Sequence, residues 1–227
     1  MSQNLLRLAF PFVPFVLREI KIIMRIRITF QKLGALRYTG HLDLHKLWER
    51  AARRAELPLA YSQGFHPQPK MNIAAALPLG FSSRCEVLDM RLEHDIQLDG
   101  LREKLQGTLP TGIQVTSVES VDERAPTLQT QVVSAEYEVS LTEAGFGSEV
   151  KRKIESVLES EVIVRTRREK EYDLRPLIEA LVLLDGKIFM KLAAREGATG
   201  RPEEVLDVLG IAFEDTRIER TSLIFQS

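Results

Sequence analysis

The spacing of apolar residues in two neighbouring segments constrains the fold of this chain most. Over 24–32, the apolar residues Ile26, Ile28 and Phe30 alternate with polar ones, which is the two-residue period of a half-buried strand. Over 41–55, apolar residues recur every three or four positions, as they do on the buried stripe of a helix. The sequence therefore predicts a strand, a loop with two glycines and an amphipathic helix, in that order.

The pattern after this helix predicts the remainder of a first domain. An apolar segment over 71–81 is suited to a central strand, and residues 85–92 alternate again. Residues 99–110 have the pattern of a short helix, and residues 112–121 have that of a further strand. This β-α-β-β-α-β order is that of the ferredoxin-like split βαβ unit.

A polar stretch over 122–131 is predicted to be a linker, after which a similar order recurs. Strands are predicted over 135–141, 161–167, 187–193 and 217–225, helices over 147–160 and 201–210, and a helix or helical turn over 173–186. The sequence therefore predicts an α+β fold with two tandem ferredoxin-like domains, over 24–122 and 132–227. Such a fold is similar to the arrangement of the RAMP-type proteins that process CRISPR RNA, which is an analogy of fold alone.

Residues 1–23 are predicted to form an N-terminal extension outside the folded unit. Pro11 and Pro14 interrupt this apolar stretch, so no run approaches the roughly 20 residues of a membrane span, and no signal-peptide cleavage site follows. Cys85 is the single cysteine of the chain, which excludes an internal disulfide and a cysteine-ligated cluster. We predict a cytoplasmic protein with no membrane span and no cofactor, in which Cys85 is a small buried hydrophobe.

Charge is distributed unevenly along a chain whose formal net charge is -1. Residues 25–70 contain nine Lys or Arg and three acidic residues, so this segment carries +6 and the remainder of the chain -7. A basic segment in a neutral protein is a candidate anion-binding surface, and a solvated helix face is the alternative.

The stretch YSQGFHPQPK, residues 61–70, combines aromatic rings, amides and a cation. Single-stranded nucleic acid sites use these groups to stack bases, contact base edges and bind phosphate. The predicted RNA-binding residues of the stretch and of the basic helix before it are Arg37, Tyr38, His41, His45, Arg50, Arg53, Arg54, Tyr61, Gln63, His66, Gln68 and Lys70.

Two prolines, Pro67 and Pro69, are expected to fix an extended backbone in this stretch and to lower the entropic cost of binding. We expect His66, Gln68 and Lys70 to be exposed. For Phe65, in contrast, we expect a ring that packs under the loop.

Histidines in the same region allow two other kinds of site. His41 and His45 are four residues apart on one helix face, a spacing that suits metal ligation with His66 or Asp43 as a third ligand. However, Leu42 stands where the zincin motif has glutamate, so two polar residues near a helix start are the favoured interpretation. As a further alternative, His41 or His66 could act as a general base in metal-independent RNA cleavage.

The run RTRREKEYDLRP, residues 165–176, is the densest cluster of charge in the second half. Its basic residues could widen a phosphate-binding surface, although a solvated strand end is the favoured interpretation. Asp173 and Arg175 are expected to pair locally and to fix a turn before Pro176.

The stretch LRYTGHLDLHKLWERAARRAELPLAYSQGFHPQPKMNIAAALPLG, Leu36 to Gly80, resembles the signature of the bacterial radical SAM-associated proteins, a family of unknown function. The motifs YDLRPLI, RPEEVLDVLG and RIERTSLIF also resemble this family. The resemblance covers about 24–225 and implies an accessory protein that acts with a separate radical SAM enzyme. One cysteine cannot supply the three-cysteine cluster loop that radical SAM chemistry needs.

These observations predict an accessory module that binds RNA and presents it to a radical SAM enzyme. A metal-independent ribonuclease that uses His41 or His66 is one alternative. A protein–protein adaptor for the radical SAM partner is the other.

Overall fold

A computed structural model describes residues 24–142 and 146–226, and the predicted extension over 1–23 lies outside the described residues. The first half follows the predicted order of elements, with a 3-10 turn at Gly34–Tyr38 between the first strand and the first helix. The elements are β1 (Met24–Lys32), α1 (His41–Arg54), β2 (Met71–Ile73), β3 (Ser82–Leu92), α2 (Leu101–Gln106) and β4 (Ile113–Val121).

The second half contains more strands than the sequence pattern predicts. A 3-10 turn at Arg175–Leu177 is followed by three strands with no helix between them. The elements are α3 (Leu128–Gln131), β5 (Val132–Leu141), α4 (Ser148–Glu159), β6 (Val164–Arg167), β7 (Lys170–Asp173), β8 (Ile178–Leu184), β9 (Lys187–Arg195), β10 (Ala198–Thr199), α5 (Pro202–Val208) and β11 (Thr216–Phe225).

Nine strands form one large sheet, and the fold is a mixed α+β fold with a mainly antiparallel sheet and few helices. The order is β10-β9-β5-β11-β3-β1-β4, with β2 also paired to β3 and β8 also paired to β9. The first-half strands thus lie in the order β4-β1-β3-β2, and four strands of the second half lie in the order β11-β5-β9-β8. The parallel β11–β3 pairing, at Glu219–Ser82 and Arg220–Ser83, joins these two groups.

The first hydrophobic core confirms the alternation and the helical stripe that the sequence shows. Ile26, Ile28 and Phe30 of β1 are fully buried, and the ring of Phe30 meets that of Trp48 edge-on with centroids 4.8 Å apart. Leu44 lies beside Trp48 on the buried side of α1. Each such fully buried side chain contributes about 1.5–3 kcal/mol by the hydrophobic effect, so this core fixes α1 against the sheet.

The second hydrophobic core takes residues from both halves of the chain. Ala74, Leu77 and Phe81, from the segment between β2 and β3, pack in the same cluster as β5, β9 and α5. Leu128 in the short helix α3 is fully buried there as well. The segment after the 61–70 stretch is therefore part of the contact between the two halves.

A cluster of charged side chains anchors the linker between the halves. The Asp89 carboxylate accepts hydrogen bonds from the guanidinium groups of Arg25 and Arg27, at 2.6–3.0 Å. Arg25 also donates to the carbonyl oxygens of Ala125 and Pro126, at 2.7 and 2.9 Å. Because Arg25 and Asp89 are buried, this cluster fixes the path of residues 125–126 across β1.

Three of the predicted elements are wrong in detail. The central strand predicted over 71–81 is only the three-residue β2, which pairs with residues 88–90 of β3, since β11 pairs with β3 further along, at Ser82 and Ser83. Residues 164–167 do not enter the large sheet and instead pair with β7 in a separate hairpin. The helix predicted over 173–186 is a single 3-10 turn followed by β8. The prediction failed because the period of a short apolar run does not distinguish a strand from a helix.

In the described part of the chain, no helix is long and apolar enough to cross a membrane.

Candidate nucleic-acid interface

Four cations lie on the exposed side of α1, opposite the buried stripe: Lys46, Arg50, Arg53 and Arg54. Lys46, Arg50 and Arg54 follow one another at intervals of four residues, so they share one helix face. The three line a groove of about 520 Å³ whose other wall is residues 107–110. We call this the α1 groove.

The cations of the α1 groove have no partner of opposite charge in the described residues. Lys46, Arg50 and Arg54 make no ion pair or side-chain hydrogen bond there, whereas most arginines near the sheet are paired. Asp43 also lines the groove, so its charged lining residues sum to a net positive charge. A concave surface with several free cations attracts polyanions such as a nucleic acid backbone.

Arg53 connects the helix to the 61–70 stretch. Its guanidinium forms an ion pair with Glu49 at 2.7 Å and donates a hydrogen bond to the Tyr61 hydroxyl at 3.2 Å. The same guanidinium lies over the Tyr61 ring, 5.9 Å from its centroid. The sequence places Arg53 with Arg50 and Arg54, but the structure gives Arg53 this separate role.

The 61–70 stretch is a narrow loop with its two ends paired. Tyr61 and Pro69 form an isolated antiparallel bridge, and the Ser62 amide donates to the Gln68 carbonyl at 2.8 Å. The Gln68 amide in turn donates to the Ser62 hydroxyl at 2.9 Å. At the base, the Lys70 amide donates to the Ala60 carbonyl at 2.8 Å. These hydrogen bonds, together with the buried ring of Pro69, hold the loop in one shape.

The tip of this loop corrects the expectation for Phe65. Its relative exposure is 101%, so the ring stands fully in solvent and does not pack under the loop. His66 and Gln68 are exposed as expected, as is Gln63, whereas Lys70 is half-buried. Phe65 was absent from the predicted set because a lone phenylalanine is usually buried. An exposed apolar ring is a surface on which a base can stack.

Arg37 and Tyr38 lie near the start of α1, beside exposed apolar side chains. The Arg37 guanidinium stacks on the Tyr38 ring at 4.7 Å and donates to its hydroxyl at 2.8 Å. Tyr38, Leu42 and Leu79 are largely exposed, at 63%, 75% and 59%. The Gly80 amide donates to the Arg37 carbonyl at 2.9 Å, which holds Leu79 beside this turn. We call Tyr38, Leu42 and Leu79 the apolar patch.

His41, His45 and His66 do not form a metal centre in the described residues. His41 and His66 are exposed, and the Nε2 atom of His45 lies 3.4 Å from the Met71 carbonyl oxygen. Within 24–142 and 146–226, no three His, Cys, Asp or Glu side chains are arranged to hold a metal ion. The three histidines and Asp43 are therefore not brought together as ligands.

Two arginines of the basic run in the second half are engaged in ion pairs. Arg165 pairs with Asp207, and Arg167 with Glu204, so neither is a free phosphate ligand. Asp173 and Arg175 pair locally as expected, but through the Arg175 backbone and not between the two side chains. The Asp173 carboxylate accepts from the Arg175 backbone amide at 2.9 Å, and the Arg175 guanidinium donates to the Leu158 carbonyl at 2.9 Å.

A buried charge cluster that the sequence does not predict lies where the halves meet. Arg220 donates from two nitrogens to one oxygen of Glu86, and both side chains are excluded from solvent. Lys32 is buried nearby and donates to the Thr39 carbonyl at 2.9 Å, and burial lowers its pKa. No sequence signal marks this cluster, since each residue has the spacing of an ordinary polar strand position.

Cys85 is half-buried, and its thiol pKa is raised to about 11 by burial. At pH 8 the thiol is then almost fully protonated, with about 0.1% thiolate, against about a quarter for an unperturbed cysteine. We expect native Cys85 to react with Ellman's reagent more than about 100-fold more slowly than the same protein in denaturant. Equal rates in both conditions would contradict this burial.

Comparisons with known proteins give a family but no assigned activity. A family model described as an uncharacterized protein conserved in bacteria (DUF2344) matches residues 25–202. No curated protein matches the chain. Among solved structures, the acetolactate synthase small subunit from Thermotoga maritima is similar over 90% of this chain and 96% of that one, at 11% identity. The TM-score of that pair is 0.24, so the likeness carries no inference about function.

Proposed function

The chain belongs to the bacterial family of uncharacterized proteins DUF2344, and from that premise we propose that it is an accessory module that binds RNA for a separate radical SAM enzyme. The observation that carries the RNA half of this proposal is the α1 groove. Its three cations are unpaired in the described residues, although the chain as a whole is nearly neutral. Concentrated and unneutralised positive charge favours a polyanionic ligand.

The loop beside this helix supplies the second component of an RNA site. Phe65 offers an exposed ring, and His66 and Gln68 place a ring and an amide next to it. Because the ends of the loop are hydrogen-bonded, little conformational entropy is lost when a base stacks on Phe65. Phosphate contacts in the α1 groove and base stacking on the loop together suit single-stranded RNA.

We infer that each half of the chain is a ferredoxin-like domain, over 24–122 and 132–227. The strand orders β4-β1-β3-β2 and β11-β5-β9-β8 support this assignment, since they place corresponding strands at corresponding positions. Two such domains side by side would resemble RAMP-type RNA-processing proteins, which is again an analogy of fold.

We propose a radical SAM enzyme as the partner because the Leu36–Gly80 stretch resembles radical SAM-associated proteins. The chain holds one cysteine, which is half-buried, so it lacks the thiolates of a radical SAM cluster. The apolar patch is available for contact with that enzyme, since its three side chains are largely exposed. This division gives the proposed module one surface for RNA and one for its partner.

The Phe65→Ala variant is expected to weaken binding of a fluorescent single-stranded RNA by about 5- to 150-fold. Loss of one base–aromatic stack costs about 1–3 kcal/mol, which corresponds to this range. The affinity is measured by fluorescence anisotropy, and the slope of log affinity against log salt is expected to stay unchanged, because no charge is removed.

Val182→Ala is the matched control, since Val182 is an exposed apolar residue on the edge strand β8. It should leave RNA affinity unchanged. If wild-type protein binds no RNA at low salt, the proposed function is wrong. If Phe65→Ala binds as well as wild type, the loop does not contact bases.

The apolar patch also favours the adaptor as a second candidate function. In that case a radical SAM partner would form a stable complex that Leu42→Asp disrupts, and RNA would not bind. The ribonuclease alternative is tested on the same preparations: cleavage of RNA in chelator, lost in His41→Ala or His66→Ala, would favour it over simple binding.

A further inference from the structure

A cavity separate from the RNA-binding surface lies where the two halves of the chain meet. It has a volume of about 760 Å³, within the usual range of small-molecule sites. One wall is the alanine-rich segment 74–78, which follows β2. The opposite wall is the end of β9 and the start of α5, residues 194–196 and 199–203. The first half of the chain thus supplies one wall and the second half supplies the other.

The inner end of this cavity is built from buried groups. Arg220 lines it and donates to the Ala75 carbonyl at 3.0 Å while it pairs with Glu86, so segment 74–78 is tied to β11. Tyr137 lies beside Arg220, and burial raises the pKa of its hydroxyl, which therefore stays protonated at neutral pH. These contacts hold the inner wall in place. The charges of Arg220 and Glu86 cancel each other there.

Glu203 lies at this inner end with one carboxylate oxygen that lacks a partner within the described part of the chain. It lines the cavity, and its Oε2 atom is buried with no hydrogen-bond partner in the described residues. Leaving a buried carboxylate oxygen unsatisfied costs about 1–3 kcal/mol or more, so native proteins rarely do so without a ligand or water. The group that would satisfy this oxygen is an N–H donor, and best a cationic one.

The mouth of the cavity carries charge of the opposite sign. Arg195 and Arg201 both line it and are exposed, and neither guanidinium forms an ion pair or hydrogen bond in the described ranges. Glu196 is the one carboxylate beside them at the mouth. A guanidinium fork is the side chain best matched to a carboxylate in geometry.

From these opposed charges we propose that the cavity binds a small zwitterion, an α-amino acid or a dipeptide. Its ammonium group donates to Glu203 at the inner end, and its carboxylate pairs with Arg195 and Arg201 at the mouth. The alanine wall of 74–76 and the ring of Tyr137 receive the side chain. Such a ligand would bridge the two halves and restrain their contact, independently of whether RNA binds at α1.

The test is calorimetric titration of the full chain with the twenty amino acids and a set of dipeptides. At least one of them is expected to bind, and its N-acetyl and carboxamide derivatives are expected to bind at least 10-fold more weakly, because each loses one charge. Glu203→Gln should weaken binding at least 10-fold, as should Arg195→Gln combined with Arg201→Gln. Glu171→Gln, an exposed carboxylate outside the cavity, should leave binding unchanged.

Thermal unfolding without ligand tests separately whether Glu203 is unpaired in the fold. Because Glu203→Gln replaces a carboxylate whose Oε2 atom is buried without a partner in the described ranges, we expect its melting temperature to equal or exceed that of wild type. A lower melting temperature would mean that Glu203 is satisfied within the fold, which would overturn the proposal. Failure of every zwitterion in the panel to bind would overturn it as well, and neither result would bear on RNA binding.

Discussion

Charge reversal of the α1 groove, by Lys46→Glu with Arg50→Glu and Arg54→Glu, is expected to weaken RNA binding by about 100-fold or more. The three side chains are unpaired in the described residues, so they are free to contact phosphate, and the variant replaces attraction by repulsion. Affinity is measured by fluorescence anisotropy over a salt series. The slope of log affinity against log salt should fall by about 2, since each lost phosphate contact contributes about 0.7 on a single strand.

A control variant separates this site from the net charge of the protein. Lys151→Glu, Arg152→Glu and Arg168→Glu change the net charge equally, at exposed cations of the second half. We expect this control to reduce RNA affinity by only a fewfold, through long-range repulsion. An equal loss in both variants would show that RNA senses only overall charge. The α1 positions are exposed, so unchanged thermal unfolding will confirm that the fold is intact.

Periodicity predicts the first half of the fold well because its elements each have one clear buried face. Phe30 and Trp48 show this, since the strand period and the helical period bring the two rings together. The same reasoning fails over 173–186, where an apolar run is consistent with either a strand or a helix. There the pairing of β8 with β9 along the edge of the sheet decides the structure, and no local pattern shows that pairing.

The candidate site is predicted in composition but not in arrangement. The sequence finds the basic helix and the 61–70 loop, which the contact between Arg53 and Tyr61 joins. It does not show that Lys46 shares a groove with Arg50 and Arg54, since the other wall, residues 107–110, is distant in sequence. Nor does it show that Phe65 is exposed, because exposure depends on the hydrogen bonds that close the loop.

The buried cluster of Lys32, Glu86 and Arg220 determines how the two halves of the sheet meet. Glu86 lies on β3 and Arg220 on β11, the two strands whose parallel pairing joins the halves. The cluster contains two cations and one carboxylate, and burial lowers the pKa of Lys32 while the Glu86 carboxylate opposes that shift. Glu86 is thus the one carboxylate of this cluster, and its negative charge stabilises both cations.

Glu86→Gln is therefore expected to destabilise the fold by about 3–5 kcal/mol, as removal of one partner from a buried ion pair does. For a chain of this size that corresponds to a fall in melting temperature of roughly 6–20 °C. Arg220→Met should cost less, because Lys32 remains close enough to compensate Glu86 and the methionine fills most of the volume. Urea and thermal unfolding of each variant measure these differences.

The double variant Glu86→Gln with Arg220→Met distinguishes a charge effect from a packing effect. If uncompensated charge causes the loss, removal of Arg220 from the Glu86→Gln background should restore part of the stability, because one of two unpaired buried cations is gone. If the two losses simply add, packing is the cause and the charge interpretation is wrong. Glu161→Gln, an exposed carboxylate without a partner in the described residues, should change stability by no more than about 0.5 kcal/mol.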